Sequence, residues 1–227
     1  MNPISKFVTS YQRMINGLRA TIHITEHAEY NQRKLLLQWS IVNCHEPGVS
    51  KERYCDHEII VSLTTYGKRL HDVALTIESL MLQTLKPNRI VLWLDHSFEE
   101  KRLPHALRLQ QERGLEIRFC TDVRAYKKLY PALRAFPEAT IITADDDILY
   151  EYDMVEHLVN AYLSEPQYIY AHRCHRILLG TDGKPIPYNN WAWERSFATE
   201  RQASHRLFAT GCGGVLYPPQ KPCKRGT

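Results

Sequence analysis

The sequence has no C-x-x-C pair, no apolar run of the roughly 18 residues that cross a bilayer, no internal repeat and no low-complexity tract. Its six cysteines, Cys44, Cys55, Cys120, Cys174, Cys212 and Cys223, are thinly scattered. They read as free thiols in a reducing compartment, which excludes a disulfide-stapled secreted scaffold. No signal peptide opens the chain, so the expected location is cytoplasmic. No G-x-G-x-x-G follows the first apolar run, which argues against a nicotinamide-type dinucleotide site. There is also no G-x-x-x-x-G-K-[ST], no H-E-x-x-H and no zinc-finger spacing.

What remains is an ordinary globular composition. The chain has 227 residues, of which 44% are apolar and 24% charged. That length suits one domain with an appendage, large enough to bury a core without staples. A net charge of +4 fits phosphate-bearing ligands or an anionic membrane surface only weakly, and no nucleic-acid partner is expected.

The most informative stretch is Thr140-Ile141-Ile142-Thr143 followed by Asp145-Asp146-Asp147. A β-branched run reads as a buried strand, and it ends in three consecutive carboxylates. Like charges at a strand end repel one another and resist desolvation. A hard divalent cation, Mn2+ or Mg2+, relieves both costs through oxygen ligands. Continued strand geometry points Asp145 and Asp147 to one side and Asp146 to the other. The alternative is a solvated acidic turn.

Around this strand the pattern alternates. Residues 58–63, 89–94 and 115–119 read as strands, and residues 73–84, 104–113, 127–135 and 154–162 as helices. Such alternation implies right-handed crossovers and an α/β fold with a mainly parallel central sheet flanked by helices. Strand C-termini then face one crevice, which brings Tyr66, Arg69, Asp95 and the Asp triplet together. Before this core, Phe7, Tyr11, Met14, Ile15, Leu18 and Ile22 recur at helical spacing, and a second apolar run spans residues 35–42. Two helices, or a helix and a strand, fit. Residues 1–54 are expected to form an N-terminal helical extension that packs on the following domain. A basic amphipathic anchor in peripheral contact with a membrane is the other reading.

The segments "IIVSLTTYGKRL", "TIESLMLQTLKPNRIVLWLD", "YKKLYPAL" and "IITADDDILY" together resemble the nucleotide-sugar half of a GT-A glycosyltransferase, nearest the bacterial family-2-like enzymes that build surface polysaccharides. The resemblance covers about residues 57–219. It implies a donor half at 55–165, a partial acceptor half at 166–227, and a nucleoside-diphosphate sugar as donor. The first-strand loop, with Thr64, Tyr66 and Arg69, would hold the nucleotide. Asp95 would meet the base or ribose, and Lys128 would lie near the nucleotide. Asp145 and Asp146 would be nucleotide-sugar contacts, and Asp145 and Asp147 would hold the metal.

On the acceptor side, sugars offer C–H faces to aromatic rings, so Tyr188, Trp191 and Trp193 are candidates for a glycan or lipid-linked acceptor. Core packing is the competing role. The stretch 210–219 resembles the family's glycine-rich turn near the donor sugar, which places Gly213 and Gly214 with the acceptor-binding residues. By the same resemblance, an acidic segment that supplies the catalytic base or helps bind the acceptor would follow, and the given sequence holds none after Pro219, so no catalytic residue is assigned; Asp182 and Glu194 are the first carboxylates to test. The expected activity is metal-dependent sugar transfer. A truncated remnant that only binds nucleotide-sugar, and a nucleotidyltransferase, are the alternatives.

Overall fold

A computed structural model describes residues 3–98, 103–195 and 202–219. The side chains of Phe7, Tyr11, Met14, Ile15 and Leu18, that of Glu194, and residues 220–227 lie outside the described residues. The chain divides into two compact units, Met1–Ser40 and Ile41–Thr227.

The first unit belongs to one continuous helix, α1 (Pro3–Asn43). The apolar run 35–42, which alone suits a helix or a strand, is its last part. Ile22, Ile24, Tyr30, Leu35, Leu36 and Trp39 are exposed along it. Among the described residues, no helix is long and apolar enough to cross a membrane.

The second unit is a six-stranded sheet with the expected α/β alternation. Its elements are β1 (Ile59–Thr64), α2 (Val73–Met81), β2 (Arg89–Asp95), α3 (His105–Glu112), β3 (Leu115–Cys120), α4 (Tyr130–Ala135), β4 (Thr140–Thr143) and α5 (Met154–Ser164). Short strands follow: β5 (Tyr170–Ala171), β6 (Cys174–Arg176), β7 (Ala192–Arg195), β8 (Leu207–Ala209) and β9 (Val215–Tyr217). The sheet order is β3-β2-β1-β4-β9-β5. The first four strands are parallel, and β9 runs antiparallel to both β4 and β5. Strands β6, β7 and β8 make a separate antiparallel sheet.

Successive residues of the central strands face opposite sides of the sheet, so both faces need apolar cover. Val61, Leu92 and Ile142 face the larger core under α2, α3 and α5, with Ile77, Leu107 and Val155. Ile60, Val91 and Ile141 face a smaller core with Ala132 of α4. The winding matters for function. From β1 the chain steps outward to β2 and β3, then returns to β4 on the other side of β1. The carboxyl ends of β1 and β4 therefore flank a topological switch point, where open α/β sheets form their ligand crevice.

Two expected helices are shorter than their patterns. α2 ends at Met81, because Gln83 and Thr84 leave the helix to bind another loop. Gln83 Nε2 donates to the Glu151 carbonyl at 2.6 Å, and Thr84 Oγ1 lies 3.0 Å from the Tyr152 carbonyl. The expected helix 127–135 is a 3-10 turn, Arg124–Lys128, and then α4. Pro131 lacks an N–H and suits the first turn of a new helix rather than the interior of a long one.

The segment before β1 is tied down by a buried ion pair. Arg113 Nη1 donates to both oxygens of Glu78, at 2.8 and 3.0 Å, while its Nε donates to the Glu46 carbonyl. Both side chains are buried, so removing one partner would leave an uncompensated charge, at about 3–5 kcal/mol.

Candidate functional site

β4 delivers the carboxylates to the crevice, and its hydrogen bonding decides where each points. The Ala144 N–H donates to the Ser62 carbonyl, and the Asp145 N–H donates to the Tyr150 hydroxyl at 2.8 Å. Burial pushes the Tyr150 hydroxyl well above the ordinary tyrosine range, so it stays protonated. Asp146 turns inward. Thr65 Oγ1 donates to its Oδ2 at 2.6 Å, and Arg69 Nη1 to its Oδ1 at 2.9 Å. Its backbone carbonyl accepts from Thr76 Oγ1. Asp145 and Asp147 retain 30% and 53% side-chain exposure, against 8% for Asp146.

The loop after β1 meets the triplet directly. Arg69 Nη1 lies 3.1 Å from Asp147 Oδ2 as well, and its guanidinium sits over the Tyr66 ring at 5.3 Å. The hydrogen bond to Asp146 raises the Arg69 pKa further. Tyr66 is 61% exposed, an open ring at the mouth of the crevice. Thr64 Oγ1 donates to the Trp93 carbonyl of β2, so it closes the sheet end. Thr65, which no sequence pattern singled out, reaches the triplet alongside Arg69.

Two lysines of the Arg124–Lys128 turn reach the same edge. A buried relay positions that turn: Trp93 Nε1–H donates to Ser62 Oγ, and the Ser62 hydroxyl donates to the Lys128 carbonyl at 2.6 Å. Lys128 Nζ contacts Asp145 Oδ1 closely. Lys127 is buried and bridges Asp122, at 2.9 Å, and Asp95, at 3.3 Å. Burial alone would lower its pKa, but the hydrogen bonds from its ammonium to Asp122 and Asp95 outweigh that, and the pKa is raised. Asp95 is held below the usual carboxylate range, first by the Ser97 hydroxyl, then by the Ser97 N–H and Lys127. Arg124 adopts φ 55°, a left-handed conformation uncommon outside glycine, and its N–H donates to Asp122 Oδ1.

Among the three glycines of the 211–214 turn, Gly211 is the one beside the carboxylate. A Cβ there would lie 2.6 Å from Lys128 Nζ and 3.2 Å from Asp145 Oδ1. Gly213 and Gly214 face elsewhere. A Cβ on Gly213 would meet His172 Cβ at 3.1 Å, and one on Gly214, at φ +90°, would meet Met154 Sδ at 2.9 Å. Both positions serve close packing of this turn.

The aromatic residues assemble on the small sheet. Tyr188 lies 5.1 Å from Trp191 and 5.2 Å from Trp193, ring centre to ring centre. His175, buried on β6, stacks on Trp193 at 4.7 Å, and Phe208 of β8 joins Trp191 at 5.8 Å. Trp191 Nε1–H donates to the Ile186 carbonyl, while Tyr188, Trp193 and Phe208 stay nearly half exposed. The chain links the platform to the crevice: β8 runs into Thr210, whose N–H donates to the Arg173 carbonyl, and then into Gly211. Phe208 carries no local sequence signal, and His175, one of two histidines set among arginines at 172–176, meets these rings only through the pairing of β6 with β7 and β8. Asp182 lies in an exposed turn, where it accepts the Lys184 N–H.

Electrostatically, three carboxylates meet two cations, Lys128 and Arg69, which leaves one net negative charge. The protein therefore supplies much of the neutralisation that the sequence alone assigned to a metal. The donor set still fits a hard divalent cation, because Asp145 and Asp147 point outward and keep solvent-facing surface.

No protein-family model matches the chain, and no curated protein matches it. Solved structures do overlap with it in part. One is a CMP:2-keto-3-deoxy-manno-octonic acid synthetase complexed with CTP, 13% identical, over 71% of this chain and 74% of that one, with TM-score 0.40. A mannosyltransferase from Pyrobaculum calidifontis, in complex with GDP-Man and Mn2+, is 18% identical over 70% of this chain, with TM-score 0.38; this chain covers 47% of its length. An inositol-1-phosphate CTP transferase from T. maritima is 7% identical over 72% of this chain and 71% of its own, with TM-score 0.43.

Proposed function

We propose that this chain is a GT-A-type glycosyltransferase that binds a nucleoside-diphosphate sugar at the carboxyl edge of its sheet and passes the sugar to a glycan or lipid-linked acceptor. The observation that carries the reading is the convergence at the switch point: Tyr66 and Arg69 after β1, Asp95 ending β2, Lys128, and Asp145 and Asp147 after β4. Ligand roles follow from the chemistry of each group. Tyr66 offers a ring face to a base, and Asp95 offers oxygens to a base or ribose. Arg69 and Lys128 offer cations to a diphosphate. Asp145 and Asp147 would hold Mn2+ or Mg2+, which when bound offsets charge developing on the leaving diphosphate.

Asp146 acts differently from its neighbours in this reading. It fixes the β1 loop through Thr65 and Arg69, so that Arg69 and Asp147 are preorganised before ligand arrives. The half-exposed rings of Tyr188, Trp193 and Phe208 supply the stacking surface for an acceptor sugar. Work on surface polysaccharide at the inner face of a membrane, in the cytoplasm, is the setting this chemistry suits.

The test is a panel of UDP-, GDP- and CDP-sugars with Mn2+ and a mixture of glycan and lipid-linked acceptors, read by released nucleoside diphosphate. Release that needs both an acceptor and one donor class is the expected result. Donor binding without any turnover would reduce the protein to a nucleotide-sugar binder. Pyrophosphate release from a nucleoside triphosphate would identify a nucleotidyltransferase instead.

A further inference from the structure

We propose a second metal site at the opposite end of the sheet: Cys55 Sγ, the Asp56 carboxylate and His57 Nδ1, which together hold a borderline-soft divalent cation such as Zn2+. Among the described residues, this is the one place where three such donors gather, all within 4.8 Å of one another. The sequence offers no spaced zinc motif here, since the three donors are consecutive. The fold brings them together just before β1.

The His57 ring is already oriented for the task. Its Nε2 lies 2.7 Å from Thr140 Oγ1, at the start of β4, and 3.3 Å from the Tyr162 hydroxyl of α5. Metal-bound imidazoles characteristically anchor the second nitrogen in this way, which fixes the tautomer and leaves the first nitrogen's lone pair for the ion. The Nδ1 atom faces Asp56 Oδ1 at 2.7 Å. Two electron-rich atoms that close need a positive centre, either a proton or a cation. Cys55 Sγ lies 3.3 Å from the His57 carbonyl and also hydrogen-bonds the His57 ring, so it is already gathered with the other two donors. Sulfur, imidazole nitrogen and carboxylate oxygen form a donor set typical of zinc, with the fourth tetrahedral position left to water. Zinc bonds of about 2.0–2.3 Å place such donors roughly 3–4 Å apart, so small side-chain rotations of Cys55 and Asp56 suffice. Binding releases the Cys55 thiol proton to solvent.

This site is distinct from the Asp triplet. Thr140 opens β4 and Asp145 follows its end, so the two sites lie roughly 16 Å apart along the strand. The bound ion would cross-link only the turn at residues 55–57, whose His57 ring already contacts Thr140 of β4 and Tyr162 of α5. Zinc binding at this end of the sheet is independent of any transferase activity.

The test uses the full chain, stripped with EDTA and desalted. Cobalt(II) is added as a spectroscopic stand-in, and Zn2+ is titrated against a chromogenic chelator. The expected result is a thiolate-to-cobalt charge-transfer band, and one equivalent of tightly bound Zn2+ that raises the melting temperature. Cys55→Ser should abolish the band and the zinc-dependent shift. Asp56→Asn, at a half-exposed carboxylate, should weaken zinc by about tenfold or more. Cys212→Ser should keep the band. No thiolate band in the wild type, or the same band and zinc affinity in Cys55→Ser, would overturn the proposal.

Discussion

Replacing Asp146 with Asn separates a residue that builds the crevice from one that merely lines it. Asn keeps the shape but swaps one carboxylate oxygen for an amide that donates. Thr65 Oγ1 and Arg69 Nη1 both donate here, at 2.6 and 2.9 Å. The Asn carbonyl can serve one of them, and its NH2 must face the other. The Thr65 hydroxyl can turn to accept from that NH2, so both contacts persist but lose the carboxylate charge, and a hydrogen bond worth about 1.5–3 kcal/mol with a charged partner falls to about 0.5–1.5 kcal/mol with a neutral one. Arg69 is 45% exposed, so water screens its share, and the expected loss is about 1–2 kcal/mol. For a chain of this size that is a fall of about 2–8 °C in melting temperature. Thermal unfolding followed by circular dichroism reads the fall, and calorimetry with UDP and GDP reads the loss of affinity that accompanies a loosened Arg69. Thr65→Val should be coupled to it, with about 0.5–3 kcal/mol of non-additivity in a double-mutant cycle. An Asp146→Asn protein that melts like the wild type, while losing nucleotide affinity, would refute the reasoning and make Asp146 a direct ligand.

Three further outcomes are expected. Asp95→Ala should cut affinity for UDP or GDP by about 1.5–3 kcal/mol while leaving inorganic pyrophosphate binding unchanged; equal losses would show that Asp95 only shapes the strand end. Gly211→Ala should force Lys128 Nζ back by roughly 1 Å, weakening donor binding about tenfold or more at an almost unchanged melting temperature; wild-type donor affinity in that variant would remove Gly211 from the site. The Lys127 cluster predicts opposite pH limbs. Asp95 and Asp122 have lowered pKa values, so their contribution is complete above about pH 4 and is lost as pH falls through the folded-state values. Lys127 is raised, so its contribution holds below about pH 10 and is lost at higher pH. Melting curves across pH should show both limbs, and Asp122→Asn should flatten the acid one; an unchanged acid limb would contradict the assignment.

Much of the fold was legible because its signals are local. β-branched runs between amphipathic stretches give the parallel strands, and the strand period alone points Asp145 and Asp147 away from Asp146. What sequence could not give is what each carboxylate meets. Thr65 and Arg69 lie 81 and 77 residues before Asp146, and only the pairing of β1 with β4 joins them. Without those partners, three adjacent carboxylates demanded a metal; with Lys128 and Arg69 in place, the demand is smaller. Lys128 itself was separable from an ordinary surface lysine only once the Trp93–Ser62 relay had fixed its turn. Gly211 looked like its two neighbours in sequence, yet it alone backs onto the Asp145–Lys128 pair, whereas Gly213 and Gly214 serve packing. The aromatic stretch 188–193 was visible as composition, but Phe208 and His175 join it through antiparallel pairing that no local pattern announces.

The most direct measurement is calorimetric titration of a nucleoside diphosphate, with UDP, GDP and CDP each tried in Mn2+ and in EDTA, on the wild type and on Asp147→Asn. The account predicts one preferred nucleoside diphosphate, bound by the wild type much more tightly in Mn2+ than in EDTA, with most of that metal-dependent gain gone in Asp147→Asn and the residual affinity in EDTA retained. Equal affinity in Mn2+ and EDTA for the wild type, or a metal-dependent gain that survives Asp147→Asn intact, would contradict it.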